Sequence, residues 1–440
     1  MPDFSQRNRP HRLTPVIQGG KWVIATAIFV LISVGQSLAV SLSTGEPTSE
    51  TAPSSNTAIG LLIALPVFAV AVFTIGITKW AFTQYLVSEN DFRLETGVLA
   101  KNVRVVPFER IQSVDVHEPF LARVFGLSEL IVESAGGAKS QTIVRYLSLS
   151  DAKELRALIL DRAQGEQPAA VPRTTIAEVS PERIMLATLF SLDFVMSLVF
   201  TIGATVALTA TGLWWIAFTI ALPAISWLLK IISDRVISDW GFTLSDGDRG
   251  LRIERGLLSR TSQTIPTDRV QGFRIEQPFI WRRFGWMRLR VDIAGYAGEK
   301  KEEKSGTDTR STLLPLADLA LVNSVMEQLV PGSAQIPETY LAAKRNIFAP
   351  IGWRYRSIGA ADQTTRANSG WIMKTSDIVA HRKVQSASIQ QGPLQRRWDL
   401  ATVEVQTPDG PVNVIAKHLS HQDAQAFLNL QIQHARRARG

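Results

Sequence analysis

Phe92-Arg-Leu-Glu-Thr-Gly-Val-Leu-Ala100 returns as Leu251-Arg-Ile-Glu-Arg-Gly-Leu-Leu-Ser259, 159 residues further along the chain. The register then holds without a gap. Pro107 matches Pro266, Arg110 matches Arg269, Gln112 matches Gln271, Pro119-Phe120 matches Pro278-Phe279, Arg123 matches Arg282, and Phe125-Gly126 matches Phe284-Gly285. A weaker third copy lies 273 residues after the first, pairing Gly97 with Gly370, Lys101 with Lys374, Gln112 with Gln385, Phe125 with Trp398 and Leu127 with Leu400. Its Pro393 has slipped by one position and Asp399 stands where the first copy has Gly126, so a different turn is expected there. Repetition at fixed spacing means one supersecondary unit written several times, and the fold follows from reading one copy.

Within a copy, Ser113-Val-Asp-Val-His and Arg288-Leu-Arg-Val-Asp-Ile alternate apolar and polar residues, the period of half-buried strands. Ala135-Gly-Gly-Ala and Pro408-Asp-Gly-Pro are hairpin signals. Stretches beginning at Ser150, Ala317 and Ser420 carry an apolar stripe at helical spacing behind a polar start. Each copy reads as antiparallel strands closed by one helix.

The rest of the chain is apolar in concentrated runs. At 440 residues it is long enough for about three domains, and its hydrophobic surplus falls in four stretches, at 22–40, 58–78, 184–208 and 212–232. Each is long enough to cross a hydrocarbon core, which takes roughly 20 apolar residues. Lysine and arginine resist translocation, so their placement sets orientation. Arg7, Arg9, Arg12 and Lys21 precede the first span, Lys79 and Arg93 follow the second, Arg183 precedes the third, and Lys230 and Arg235 close the fourth. The reversing loops at 41–57 and 209–211 carry none. Both helical hairpins are expected to begin and end in the cytoplasm, with both termini there. The net charge of +8 suits an anionic membrane surface on this placement, and nucleic acid is not expected as a partner. The absence of cysteine rules out disulfides, thiolate metal sites and a cysteine nucleophile.

The Leu-x-x-x-Gly start, the Pro-x-x-Arg-Val/Ile-Gln core at Pro107 and Pro266, and the Pro-Phe-Leu/Ile-x-Arg-x-Phe-Gly segment at Pro119 and Pro278 resemble the bacterial pleckstrin-homology (PH) family of YdbS- and YdbT-type membrane proteins. That family was once catalogued as a domain of unknown function. The triple copy resembles the longer type. The resemblance implies barrels of seven strands with a C-terminal helix, paired spans before the domains, a place in envelope homeostasis and no catalytic residues. A shorter YdbS-like protein is an implied partner.

Candidate site residues are few. Gly97, Gly256 and Gly370 suit turns that need positive φ. Gln112, Gln271 and Gln385 read as mid-strand residues satisfying buried backbone groups, against a ligand role. His418 and His421 have metal-compatible spacing without a third ligand and read as a surface pair. Arg123, Arg282 with Arg283, and Arg396 with Arg397 recur just after apolar steps at Phe120, Phe279-Ile280 and Pro393-Leu394, a combination that suits a lipid or partner surface or simply caps a barrel end. Asp193 is expected inside the third span, where a carboxylate is either functional or satisfied by a hydroxyl such as Thr26, Thr74 or Thr219.

The expectation is an α+β membrane protein: four transmembrane helices in two hairpins plus three PH-like β-barrels, each with a C-terminal helix. Its parts are a basic tail at 1–21, hairpin one at 22–79, barrel one at 80–164, a linker at 165–183, hairpin two at 184–233, barrel two at 234–331, a linker at 332–344, barrel three at 345–433 and a basic tail at 434–440. The expected function is that of a non-catalytic plasma-membrane scaffold without cofactor or metal, its barrels contacting anionic head groups or unknown proteins. The alternative is a small four-span transport or channel protein using Asp193.

Overall fold

The computed structural model describes residues 4, 6–20, 22–23, 26, 55–98, 100–134, 141–164, 174–247, 250–294, 311–345, 351–407 and 410–438. Apart from residues 22, 23 and 26, the first expected span lies outside this set. So do the first copy's Ala135-Gly-Gly-Ala turn, the Pro408-Asp409 half of the third copy's turn and the linker stretch 165–173.

A helix, α1 (Ser55–Ala81), leads into the first barrel. One half of that barrel is the sheet β1 (Gln84–Val87), β2 (Asp91–Thr96) and β3 (Asn102–Pro107). The other half is β4 (Ile111–Glu118), β5 (Leu127–Ser134) and β6 (Gln141–Ser148), with a short helix α2 (Phe120–Val124) in the β4–β5 turn. Helix α3 (Leu149–Gln164) closes it, burying Ala152, Leu155 and Ile159 against Phe92, Val114 and Leu130.

The second copy follows the same plan with one insertion. Strand β7 (Thr175–Val179) comes first, then helices α4 (Pro181–Leu189), α5 (Leu192–Ala210) and α6 (Trp214–Ile232), and only then β8 (Phe242–Gly247), which pairs with β7. The helical hairpin is thus inserted between the first two strands of a barrel, and part of the stretch expected to be a linker at 165–183 is a strand of barrel two. Its sheet continues through β9 (Gly250–Arg255) and β10 (Arg260–Pro266). The second half is β11 (Val270–Pro278), β12 (Met287–Ile293) and β13 (Thr312–Ala317), closed by α7 (Leu319–Leu329). The third copy has β14 (Leu341–Ala342), inside the expected 332–344 linker, and then β15 (Ser357–Ala360). It continues with β16 (Thr364–Ser369), β17 (Met373–Ala380), β18 (Ser386–Gln390), α8 (Pro393–Arg397), β19 (Leu400–Gln406), β20 (Val414–Ser420) and α9 (His421–Arg437). Among the described residues, copies two and three therefore have the seven strands the resemblance implies. Copy one has six, with the Asn8–Tyr85 bridge lying on β1 where β7 lies on β8.

Local chemistry accounts for the elements. β9 alternates half-buried and buried residues throughout, and Phe242, Leu244, Leu251 and Ile253 fill the second core. The closing helices are capped by side chains: Ser148 Oγ accepts from the Asp151 N–H at 3.1 Å, Asp318 from Leu321 at 2.8 Å and Ser420 from Asp423 at 3.0 Å. Gly97, Gly256 and Gly370 adopt φ of +118°, +113° and +85° in the β2–β3 type turn. The different turn expected after α8 is not found, because Asp399 takes the same left-handed conformation (φ +51°) as Gly126 (+67°) and Gly285 (+68°). An aspartate tolerates that region better than most residues.

The barrels share their sheets. β4 of the first copy pairs with β10 of the second, giving one seven-stranded sheet ordered β6-β5-β4-β10-β9-β8-β7. β11 pairs with β17 in the same way, ordered β13-β12-β11-β17-β16-β15-β14, and the array ends in β18-β19-β20.

Among the described residues one helix, α5, is long and apolar enough to cross a membrane by length and composition, and Pro66–Ala81 is a shorter apolar stretch. The run 184–208, expected as one span, is broken at Phe190 and Ser191. Its first part serves the barrel instead: Ile184 and Ala187 of α4 are buried in the core of barrel two.

Candidate functional site

The place where helices α4 to α6 meet barrel two concentrates the charged and aromatic chemistry of the chain. Asp193, in the first turn of α5, accepts from both terminal nitrogens of Arg235 at 3.1 and 2.8 Å. Arg235 lies in the short π-helix at Ser233–Ile237 that follows α6, so the pair ties the two legs of the hairpin together at its base. Asp193 is therefore not well inside a span, and its partner is an arginine rather than the hydroxyls of Thr26, Thr74 or Thr219. The reason is the helix break at Ser191, which brings the carboxylate to the mouth of the hairpin, where an N-terminal helix position also favours it.

Behind this pair the charges are buried. Asp239 accepts from Arg255 at 3.2 Å, with side chains 8% and 3% exposed, and Arg255 reaches the Thr312 carbonyl at 3.5 Å. Burial pushes the Asp239 carboxyl up from its usual range, opposed by Arg255, Arg288 and Arg235. Arg288 packs over the Trp281 ring at 5.6 Å and faces Glu276 at 3.9 Å, and burial holds its guanidinium below the ordinary value. Glu276 also takes Arg290 at 3.4 Å, and Arg290 donates to Ser311 Oγ at 2.7 Å. Next along β11, Arg274 grips Asp377 of barrel three at 2.6 and 3.0 Å. A series of charges thus runs from the hairpin base through barrel two into barrel three.

An aromatic loop holds the hairpin to the same barrel. Trp281 is buried and its Nε1 donates to the Ala187 carbonyl of α4 at 2.9 Å. Phe284 stacks on Trp286 at 4.7 Å and meets Phe190, in the α4–α5 break, at 5.5 Å. The turn after β9 is fixed from the other side, since the Gly256 and Leu257 amides donate to the Trp240 and Ile237 carbonyls, both at 2.9 Å.

The arginines singled out by the repeat divide into two groups. Arg123 donates to the Leu257 carbonyl of barrel two, and Arg282 donates to the Trp371 carbonyl of barrel three at 2.5 Å. These two are clamps between barrels, made from the same residue of the repeat to the same carbonyl of the next copy. Arg283, Arg396 and Arg397 are exposed, beside the exposed Phe279 and Leu394. The glutamines do not form a set: Gln271 is buried on a bulged β11 and donates to the Arg269 carbonyl at 3.4 Å, whereas Gln385 is exposed and precedes β18. The Gln112 side chain lies outside the described set. His418 lies on β20 and His421 begins α9, so they do not share a helix face, and among the described residues no group of three His, Cys, Asp or Glu could hold a metal ion.

Sequence reasoning missed Asp239, Arg255, Glu276, Arg288 and Trp281. A signal was present, because Arg255 and Asp239 replace Thr96 and Trp80 of the first copy, and paired departures from a repeat mark what is particular to one barrel.

The family model described as "Bacterial PH domain" matches the chain three times, at residues 28–163, 191–330 and 345–435. A curated relative, "UPF0699 transmembrane protein YdbT" of Bacillus subtilis (strain 168), is 21% identical over 275 residues. That match covers 55% of this chain, which spans about half the length of the relative (55%). With three matches across most of its length, each on strands closed by a helix, the chain belongs to the bacterial PH domain family.

Proposed function

We propose that this chain is a multi-pass plasma-membrane protein, four spans in two hairpins with both termini cytoplasmic, and that it works as a non-catalytic scaffold. Its linked barrels hold loops against the anionic inner leaflet. The observation that carries the reading is the docking of the Phe279–Phe284 loop on the hairpin break, through Trp281 to Ala187 and Phe284 to Phe190. A loop fixed there lies at the level where α5 begins, so its exposed Phe279 and Arg283 meet the interface. The membrane naming of the relative and the apolar α5 support the anchor. Arg283 and Arg397 are free for head groups in a way that Arg123 and Arg282 are not, and each such arginine contributes about 1 kcal/mol near an anionic surface. Asp193, held in a two-nitrogen ion pair with Arg235 at the hairpin mouth, fits a structural latch better than a transport path.

The test uses the full chain in proteoliposomes. Phe279→Cys and, as a control on the exposed face of α9, Gln425→Cys are each labelled with an environment-sensitive fluorophore. The Phe279 label should be quenched by brominated lipid and shielded from aqueous iodide, and the Gln425 label should show the reverse. Equal iodide quenching at both sites would sink the lipid-facing reading.

A further inference from the structure

Both junctions between neighbouring barrels use the same two strands of the repeat in the same register. In the first, β4 runs antiparallel to β10 with Glu118 opposite Arg260 and Val116 opposite Ser262. In the second, β11 runs antiparallel to β17 with Gln277 opposite Lys374 and Ile275 opposite Ser376. Removing the repeat spacings of 159 and 273 gives the same pairs of positions each time, 118 against 101 and 116 against 103. The clamp obeys the same rule, since Arg123 to Leu257 and Arg282 to Trp371 both join position 123 to the carbonyl of position 98 in the next copy.

Among the described residues, an array built this way ends in two unlike edges, each without a further strand paired to it. β3 is the outer strand of the first sheet, and its Val103 and Val105 are 45% and 46% exposed. β18 is the outer strand of the last. Gln391, just past β18, donates to the Leu400 carbonyl at 2.9 Å as Gln277 donates to Trp286 at 3.3 Å, which fixes β18 in the common register. Applied to these two ends, the rule sets Lys101 opposite Gln391, Val103 opposite Ile389, Arg104 opposite Ser388 and Val105 opposite Ala387. Apolar residues then meet across the strands, and cross-strand apolar pairs are the unit of sheet stabilisation. Ser388 Oγ is buried and lacks a hydrogen-bond partner among the described residues. Arg396, the third member of the clamp series, falls on the carbonyl of Val98, whose side chain is 45% exposed.

We propose that copies of this chain associate head to tail by strand addition, β3 of one copy pairing with β18 of the next and Arg396 clamping Val98. A second copy is the occupant because these two edges, unpaired among the described residues, complement each other by the rule that joins the barrels internally. An exposed edge with apolar side chains is a template for such pairing.

The chain has no cysteine, which makes the test direct. Two differently tagged copies are expressed in one membrane, Val103→Cys in one and Ile389→Cys in the other, and treated with a short bifunctional thiol reagent. A mixed-tag product is expected, well above the yield of Val103→Cys with Gln425→Cys. Adding Arg396→Ala, a change at an exposed residue of the short helix α8 whose hydrogen bond within the chain is a long one to the Gln391 carbonyl (3.4 Å), or Val105→Lys on the edge strand, should cut that yield several-fold. Absence of a mixed-tag product, a yield equal to the control, no response to either second change, or cross-linking to a shorter chain in place of the second copy each overturns the proposal.

Discussion

Arg255 and Asp239 illustrate how a single pair can matter more than the exposed ion pairs around it. Arg93 with Asp91 and Lys101 with Glu95 are solvent-screened and contribute little, because water and salt weaken an attraction that must also hold two long side chains in place. Asp239 is buried in the turn between the π-helix and β8, so removing its carboxylate leaves the Arg255 charge buried and uncompensated. Asp239→Ala should destabilise barrel two by about 3–5 kcal/mol, and Asp239→Leu with Arg255→Met should recover most of that loss. Hydrogen exchange of the β9 amides in the full chain is the measurement. If the double variant loses as much protection as the single one, the two charges are not coupled.

At the scale of elements, the turns after β2, β9 and β16 are built alike. A Cβ on Gly256 would drive into the Ser259 carbonyl oxygen, and Gly97 and Gly370 face the Ala100 and Met373 oxygens in the same way. At Gly126 the backbone also has positive φ, but a Cβ would meet nothing within 4 Å. Gly256→Ala should therefore cost more than the roughly 1–3 kcal/mol of a merely strained backbone, whereas Gly126→Asn should cost about 1 kcal/mol or less. Thermal unfolding of the two variants in one detergent compares them directly, and equal losses would refute the distinction. The helices follow a similar logic. The stretch 184–208 is apolar along most of its length, yet its first turns dock on a barrel while the rest forms α5, because a packed β-sheet accepts the same side chains as lipid does.

For the whole molecule, the insertion of α4 to α6 between β7 and β8 ties any tilt of the hairpin to the wall of barrel two, and the shared sheets carry it to barrels one and three. The proposed orientation is open to a direct check. Thr211→Cys, in the turn between α5 and α6, should react with an impermeant thiol reagent on intact cells, and Lys153→Cys, on the exposed face of α3, only after permeabilisation. The opposite pattern would invert the topology.

The amino-acid sequence alone determined the repeat, its strand period, its turn glycines and the apolar runs, because each depends on contacts within a few residues or on spacing along one chain. The positive φ of Gly97, Gly256 and Gly370 and the helix start at Ser420 belong to this group, whereas the starts read at Ser150 and Ala317 moved by one or two residues to the caps Ser148 and Asp318. Tertiary structure decided which edges pair. Nothing local distinguishes a strand that closes its own barrel from one that pairs with the next, so the β4–β10 and β11–β17 junctions were not legible, nor was the use of Arg123 and Arg282 as clamps. Asp193 shows the same limit: hydropathy placed it inside an apolar run, and only the break at Ser191 and the approach of Arg235, 42 residues away in sequence, put it at the mouth of the hairpin. Pairings between distant segments follow from the packing of the whole chain, where burial and charge compensation are settled together.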